Sequence, residues 1–213
     1  MSHPEIELLG STLVMAGSET SATLLSGAIY YLLKNPTWLE KLQAEVRGAF
    51  PEDAQITFTN TAHLKLLNAV IYETFRLYPP VPGALPRVVP KNGATVAGTA
   101  FPPDTKIGIP QYAAYRSKRN FTDPETFAPD RFMDNEAYAQ DKRSIMQPFS
   151  VGPRNCIGQS LAWAEMRTIL SRLVWNFDMK LVDPNEAWEK QKTFVLWDKS
   201  SLMVKLQVRK GAE

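Results

Sequence analysis

The sequence predicts an α+β fold, mainly α with small β-sheets, and three observations carry that expectation. Apolar residues recur at helical spacing through the first third of the chain and again after its only cysteine. The 16 prolines are unevenly spread, gathered between Tyr78 and Pro110 and from Pro124 to Pro153, where long helices cannot run. Within the first of those zones, short apolar pieces alternate with Gly and Pro in the manner of strands joined by tight turns. A length of 213 residues, 44% of them hydrophobic, permits one sizeable core.

From Ile6 to Lys34 the chain is rich in Leu, Ala, Val and Ile and then meets Asn35-Pro36, so one long helix is expected to stop there. Glu19 and scattered Ser and Thr interrupt the apolar run, which favours a helix buried in protein over one crossing a membrane. A second helix is expected from Pro36 to near Gly48, with Leu39, Leu42 and Val46 inward. A third runs from about Thr61 to Leu77, its inner face marked by Leu64, Leu67, Ile71 and Phe75 or Thr74. Between Val81 and Pro110, ATVAGTAF and TKIGIP predict a small sheet. Gln111 to Ser150 mixes Asp, Asn, Pro and aromatics, and predicts a meandering coil that needs an anchor. Leu161, Ala164, Ile169 and Leu173 predict a helix reaching about Asn176, and TFVLWDKSSLMVKLQV alternates around Asp-Lys-Ser-Ser like a hairpin.

The charge is nearly balanced, 24 Lys+Arg against 22 Asp+Glu, with no long run of either sign, so nothing points to nucleic acid. One cysteine allows no internal disulfide, and MSHPEIELLG lacks the basic-then-apolar order of a secretory signal, which together read as an intracellular chain.

Three stretches carry candidate chemistry. In PFSVGPRNCIGQSLAWAEMR, Cys156 sits just before a helix, where backbone N–H groups and the positive dipole end favour a thiolate. Gly152 and Gly158 permit a sharp loop and the close approach of a flat group, and Arg154 places a cation nearby. Zinc needs several Cys or His ligands, and the chain has one Cys and two histidines, His3 and His63, without ligand spacing. A cysteine nucleophile would have only His63 as base, and a buried structural cysteine is the remaining alternative. In NAVIYETFRLYPP, Glu73 and Arg76 share one face of an otherwise apolar helix, and a carboxylate there is best satisfied by a second guanidinium, for which Arg131 in FAPDRF is available. In AGSETS, Gly17 and the hydroxyls of Ser18, Thr20 and Ser21 make a local opening of the long helix plausible, with the acid Glu19 beside the alcohol Thr20 as a proton-relay pair or as a merely polar stripe.

Taken together and in this order, these stretches resemble the C-terminal half of a cytochrome P450, a haem-thiolate monooxygenase. Phe149, Gly152, Arg154, Cys156 and Gly158 match the fixed positions of that family's haem-binding signature; Glu73 and Arg76 look like its Glu-x-x-Arg pair with Arg131 as third member; Ala16, Gly17, Glu19 and Thr20 look like its oxygen-activation segment. The resemblance implies haem b with Cys156 as the axial iron ligand, Phe149 shielding the sulfur, Arg154 and Arg87 on the propionates, and Thr20 and Glu19 handling dioxygen and protons. It also implies electrons from NADPH through a flavoprotein reductase, an NADPH-cytochrome reductase docking near Lys142, Arg143 and Arg167. A small apolar organic substrate would meet Ala84, Leu85, Leu196 and Trp197. LPRVVPKNGATVAG and AAYRS look most like filamentous-fungal secondary-metabolism members, the type that hydroxylates trichothecene-like terpenoids.

Family members are roughly twice this long, so residues 1–213 are expected to form a partial P450 domain, monomeric if folded, with the N-terminal half and its membrane anchor absent. For the parent family the resemblance implies the cytoplasmic face of the endoplasmic reticulum membrane. Many apolar residues of the long helix are then expected to face water, leaving the chain marginal, aggregation-prone and poor at holding haem. Two functions follow: a monooxygenase, or a truncated, inactive fragment acting at most as a haem-binding or interaction remnant. A thiol enzyme centred on Cys156 comes third.

Overall fold

The computed structural model describes residues 1–209. Helix α1 spans His3–Lys34, opened by a capping box in which the Ser2 amide donates to Glu5 Oε2 at 2.6 Å. It is half a core helix: residues 1–18 are exposed, and burial begins at Ser21 and includes Leu24, Ala28 and Leu32. The expected burial therefore holds only for the second half, and the expected wetting of apolar side chains is seen in the first, where Leu8 and Val14 are each 71% exposed. No opening exists at AGSETS. The helix is continuous there, because Ser18 and Thr20 donate to the carbonyls of Val14 and Ala16 at 2.7 Å, sharing acceptors that have two lone pairs.

Helix α2 (Pro36–Ala49) buries Leu39, Leu42 and Val46 as its spacing requires. A one-turn helix α3 (Phe58–Thr61) precedes α4 (Lys65–Leu77). The third long helix thus starts later than Thr61, and the reason is a cap supplied from elsewhere: both carboxylate oxygens of Glu45 on α2 accept the amides of Leu66 and Leu67, at 2.8 and 2.9 Å. Leu64, Leu67, Ile71, Thr74 and Phe75 are buried, as read from the sequence.

The small sheet is two separate antiparallel ladders. Strand β1 (Arg87–Val88) pairs with β4 (Lys106–Ile107), and between them β2 (Ala94–Val96) pairs with β3 (Thr99–Phe101) around Ala97-Gly98. A short α5 (Gln111–Tyr115) opens the irregular meander, which otherwise holds only 3₁₀ turns such as Pro129–Phe132. Helix α6 (Gln159–Asn176) buries Met166, Leu170, Val174 and Trp175, whereas Leu161 and Ile169 of the predicted pattern are 58% and 43% exposed.

The expected C-terminal hairpin does not form. Strand β7 (Trp197–Asp198) folds back on β6 (Lys192–Thr193), while β8 (Val204–Val208) pairs along its whole length with β5 (Phe177–Leu181), the strand that continues from α6. Trp197 decides the split: its ring stacks on Tyr78 at 4.5 Å and its indole N–H donates to the Pro79 carbonyl at 2.7 Å, drawing β7 to the end of α4. The core lies where α1, α2, α4 and α6 meet.

Candidate functional site

Cys156 lies on an exposed loop two residues before Gly158, which caps α6. The loop is folded by its own backbone: the Cys156 amide donates to the Phe149 carbonyl at 2.9 Å, the Asn155 amide to the Gly152 carbonyl at 3.0 Å, and Gly152 takes φ +78°. An alanine at 152 would be strained there, so this glycine is required by the turn. Cys156 is exposed, so it is not a buried structural cysteine here. Phe149, underneath, meets Phe75 edge to face at 5.3 Å and Trp163 at 6.2 Å, and so fixes the loop to α4 and α6.

Apolar residues before and after the cysteine are exposed: Ile157 is 93% exposed, Val151 62% and Leu161 58%. Arg154 is exposed beside it. Arg87 on β1 reaches the same loop, donating to Ser150 Oγ at 3.3 Å and to the Pro86 carbonyl at 3.2 Å. Leu85, Arg87, Ser150 and Val151 share a cleft of about 590 Å³. The structure thus gathers Arg87, Phe149, Gly152, Arg154, Cys156 and Gly158 at one place.

Helix α1 is tied to α6 by Ser21, whose hydroxyl donates to Glu165 Oε2 at 3.4 Å. Ala16 and Gly17, one turn before that tie, are exposed, and a methyl group added at Gly17 would meet no atom within 4 Å. Thr20 and Glu19 are partly buried. Neither is free: Thr20 Oγ1 donates to the Ala16 carbonyl, and the Glu19 carboxylate is paired with the ammonium of Lys199, a residue that nothing in the sequence links to it.

The Glu73 cluster is fully buried. Arg76 Nε and Nη2 each donate to the Glu73 carboxylate at 2.7 Å, the Ala128 amide donates to Glu73 Oε1 at 2.9 Å, and Arg131 Nε stands 3.5 Å from Glu73 Oε2. Arg76 spends its remaining N–H groups on the carbonyls of Tyr115, Pro124 and Thr126. Burial pushes the Glu73 carboxyl up, and Arg76, Arg131 and the Ala128 amide draw it back. Two members were not legible: Asp141, which pairs with Arg131 and accepts the Thr122 amide, and Tyr138, whose ring lies 4.2 Å from the Arg131 guanidinium. This cluster is the anchor that the meander lacked in the sequence.

Two other expectations are corrected. Trp197 is only 7% exposed and packs inward, so the apolar surface of that arm is Phe194 and Val195, 76% and 73% exposed. Arg167 is not a free surface cation: its Nε donates to Asn68 at 2.7 Å, its guanidinium lies 4.6 Å from the Trp163 ring, and burial lowers its proton affinity. Lys142 remains exposed and Arg143 is half-buried.

The Cytochrome P450 family model matches residues 1–206. The chain belongs to the cytochrome P450 family. Among the relatives of this P450, the cytochrome P450 monooxygenase astA of Talaromyces wortmannii is 46% identical over 213 residues, covering 100% of this chain and 43% of the relative. Averantin hydroxylase of Dothistroma septosporum is 46% identical, covering 98% and 41% respectively, and the cytochrome P450 monooxygenase FUM2 of Gibberella moniliformis is 45% identical, covering 96% and 44%. The chain therefore spans about two-fifths of the length of the curated relatives it matches, 43% in the first case.

The residues present fit the haem that this family binds. Haem asks the protein for a soft axial ligand, a flat apolar bed without side chains in the way, and cations at the rim. The P450 loop offers an exposed cysteine, exposed apolar neighbours, open space above Gly152 and the exposed Arg154, and β1 brings the exposed Arg87 to it. Among the described residues no group of three or more metal-ligating side chains competes for a metal ion. No helix among them is long and apolar enough to cross a membrane.

Proposed function

We propose that this P450 chain carries the haem-thiolate site of a monooxygenase that acts on a small apolar product of fungal secondary metabolism, a hydroxylation of the kind named in averantin hydroxylase. The carrying observation is the exposed Cys156 on a glycine-turned loop packed through Phe149 onto α4 and α6.

In this reading the Cys156 sulfur would be the ligand that holds haem b. Phe149 keeps water from the inner side of the sulfur, Gly152 and Gly158 let the ring approach, and Arg154 and Arg87 neutralise its propionates. Ala16 and Gly17 would leave room for the bound group. When bound, the haem supplies dioxygen activation: one oxygen atom enters a C–H or C=C bond and the other leaves as water, with two electrons and two protons consumed. Thr20 Oγ1 would hold a proton for that chemistry and the Glu19 carboxylate would replace it. The electrons come from NADPH through a flavoprotein reductase on the cytoplasmic face of the endoplasmic reticulum, and Leu85, Phe194 and Val195 offer the apolar wall. The Glu73, Arg76 and Arg131 cluster acts structurally, holding the meander that leads into the cysteine loop.

The test is the carbon monoxide difference spectrum of the reduced, haem-supplemented chain beside Cys156→Ser. A strongly red-shifted Soret band lost on substitution supports the reading. A second reading, an inactive haem-binding or interaction remnant, is favoured by the exposure of residues 1–18, which include the first half of α1, and the absence of a Cys156-dependent band would select it.

A further inference from the structure

Lys199 follows β7, in the stretch that leads to β8. The backbone on either side is pinned by two indoles: Trp197 Nε1 donates to the Pro79 carbonyl at 2.7 Å, and Trp188 Nε1 donates to the Ser200 carbonyl at 2.9 Å. From this fixed point the ammonium crosses to α1, pairs with the Glu19 carboxylate and donates to Thr23 Oγ1 at 2.6 Å. Thr23, itself 1% exposed, donates onward to the Glu19 carbonyl at 2.7 Å. The Lys199 side chain is 19% exposed and that of Glu19 42%, so the pair is partly shielded from screening. The other charged side chain bonded to this stretch of α1 is Glu165 of α6, at Ser21.

Glu19 and Thr23 are one turn apart on α1 and share a face, while Thr20 shares the neighbouring face with Ala16. With Lys199 in place, the acid of the acid–alcohol pair is therefore held on the Thr23 side, turned from the hydroxyl it serves. The Trp197 and Ser200 anchors flank Lys199, so the pair is held from the end of the β6–β7 arm as firmly as from α1.

We infer that Lys199 is a positioning residue that parks Glu19 on the Thr23 side of α1. The inference rests on the haem-thiolate reading for its purpose, though not for the latch itself.

The C–O stretching band of the reduced, carbon monoxide-bound, haem-loaded protein responds to polar groups above the iron and does not require turnover. It is compared in wild type, Lys199→Met, Lys199→Arg and Glu19→Gln. The expected result is a shifted band in Lys199→Met, its restoration in Lys199→Arg, and no further shift when Lys199→Met is added to Glu19→Gln. One band position in all variants overturns the inference. If wild type shows no Cys156-dependent Soret band, the haem reading fails, and denaturant unfolding of the haem-free chain decides the latch. There Glu19→Gln, Lys199→Met and the double variant share one midpoint if the pair exists, and additive losses overturn it. Should Lys199→Met not fold, Lys199→Gln takes its place in the spectral comparison, an unchanged band again overturning the inference.

Discussion

Glu73 and Arg131 show how much one irregular segment owes to single side chains. Both have no solvent exposure, so removing one partner leaves an uncompensated buried charge. Arg131→Met is expected to cost about 3 to 5 kcal/mol, read as a lower denaturant midpoint, and Arg131→Lys is expected to restore little, because one ammonium cannot serve both Glu73 and Asp141. The tyrosines set a different, alkaline limit. Burial pushes the Tyr31 and Tyr115 phenols up to about 12, and Tyr30 and Tyr78 are raised as well. The unfolded chain releases these protons near pH 10, where the folded chain still keeps them. Their contribution is therefore intact below about pH 10 and is lost as pH rises towards about 12, roughly 2 to 3 kcal/mol for each of Tyr31 and Tyr115. Unfolding midpoints followed across that window should fall, and Tyr31→Phe or Tyr115→Phe should flatten the fall. At this scale the sequence exposed what is local or bears a fixed spacing, such as Glu73 with Arg76 and the glycines around Cys156. Asp141 and Lys199 were hidden, since a charged residue in an irregular stretch carries no mark of the partner it will find far along the chain.

Helices met their expectations where burial is one-sided. The inner face of α4 was legible because its apolar residues repeat at helical spacing and are buried along the whole length. In α6 the phase was misread, because Leu161 and Ile169 are apolar and yet exposed, so composition there does not record the core alone. The C-terminal pairing failed for a different reason: a strand's alternation says which face is apolar and nothing about which strand lies beside it. Where α1 crosses α4 the approach is close enough to test. A methyl group at Gly27 would sit 2.7 Å from Tyr78 Cδ1 and 3.3 Å from Thr74 Cγ2, so Gly27→Ala is expected to cost about 1 to 3 kcal/mol by overpacking. Gly10→Ala, with nothing within 4 Å, should instead gain roughly 1 kcal/mol of helix propensity. Denaturant midpoints and far-ultraviolet circular dichroism of the two variants should move in opposite directions.

For the molecule as a whole, apolar surface is concentrated on the first half of α1, on the cysteine loop and on the Phe194–Val195 tip. Exposed apolar surface of this extent drives association. Leu8→Lys combined with Leu13→Lys, at positions 71% and 52% exposed, should reduce self-association in sedimentation while leaving the unfolding midpoint unchanged. The Arg76 guanidinium also has a bearing on the order in which the chain assembles. Through its bonds to the carbonyls of Tyr115, Pro124 and Thr126 it closes loops of 39, 48 and 50 residues at one stroke. Each such closure costs about 3 kcal/mol of chain entropy before any contact repays it. The meander is therefore a late arrival in folding, waiting on a finished α4, and the first segment to come loose. A protease added at low denaturant should nick the chain between Arg116 and Gln147 while the four-helix core is still closed.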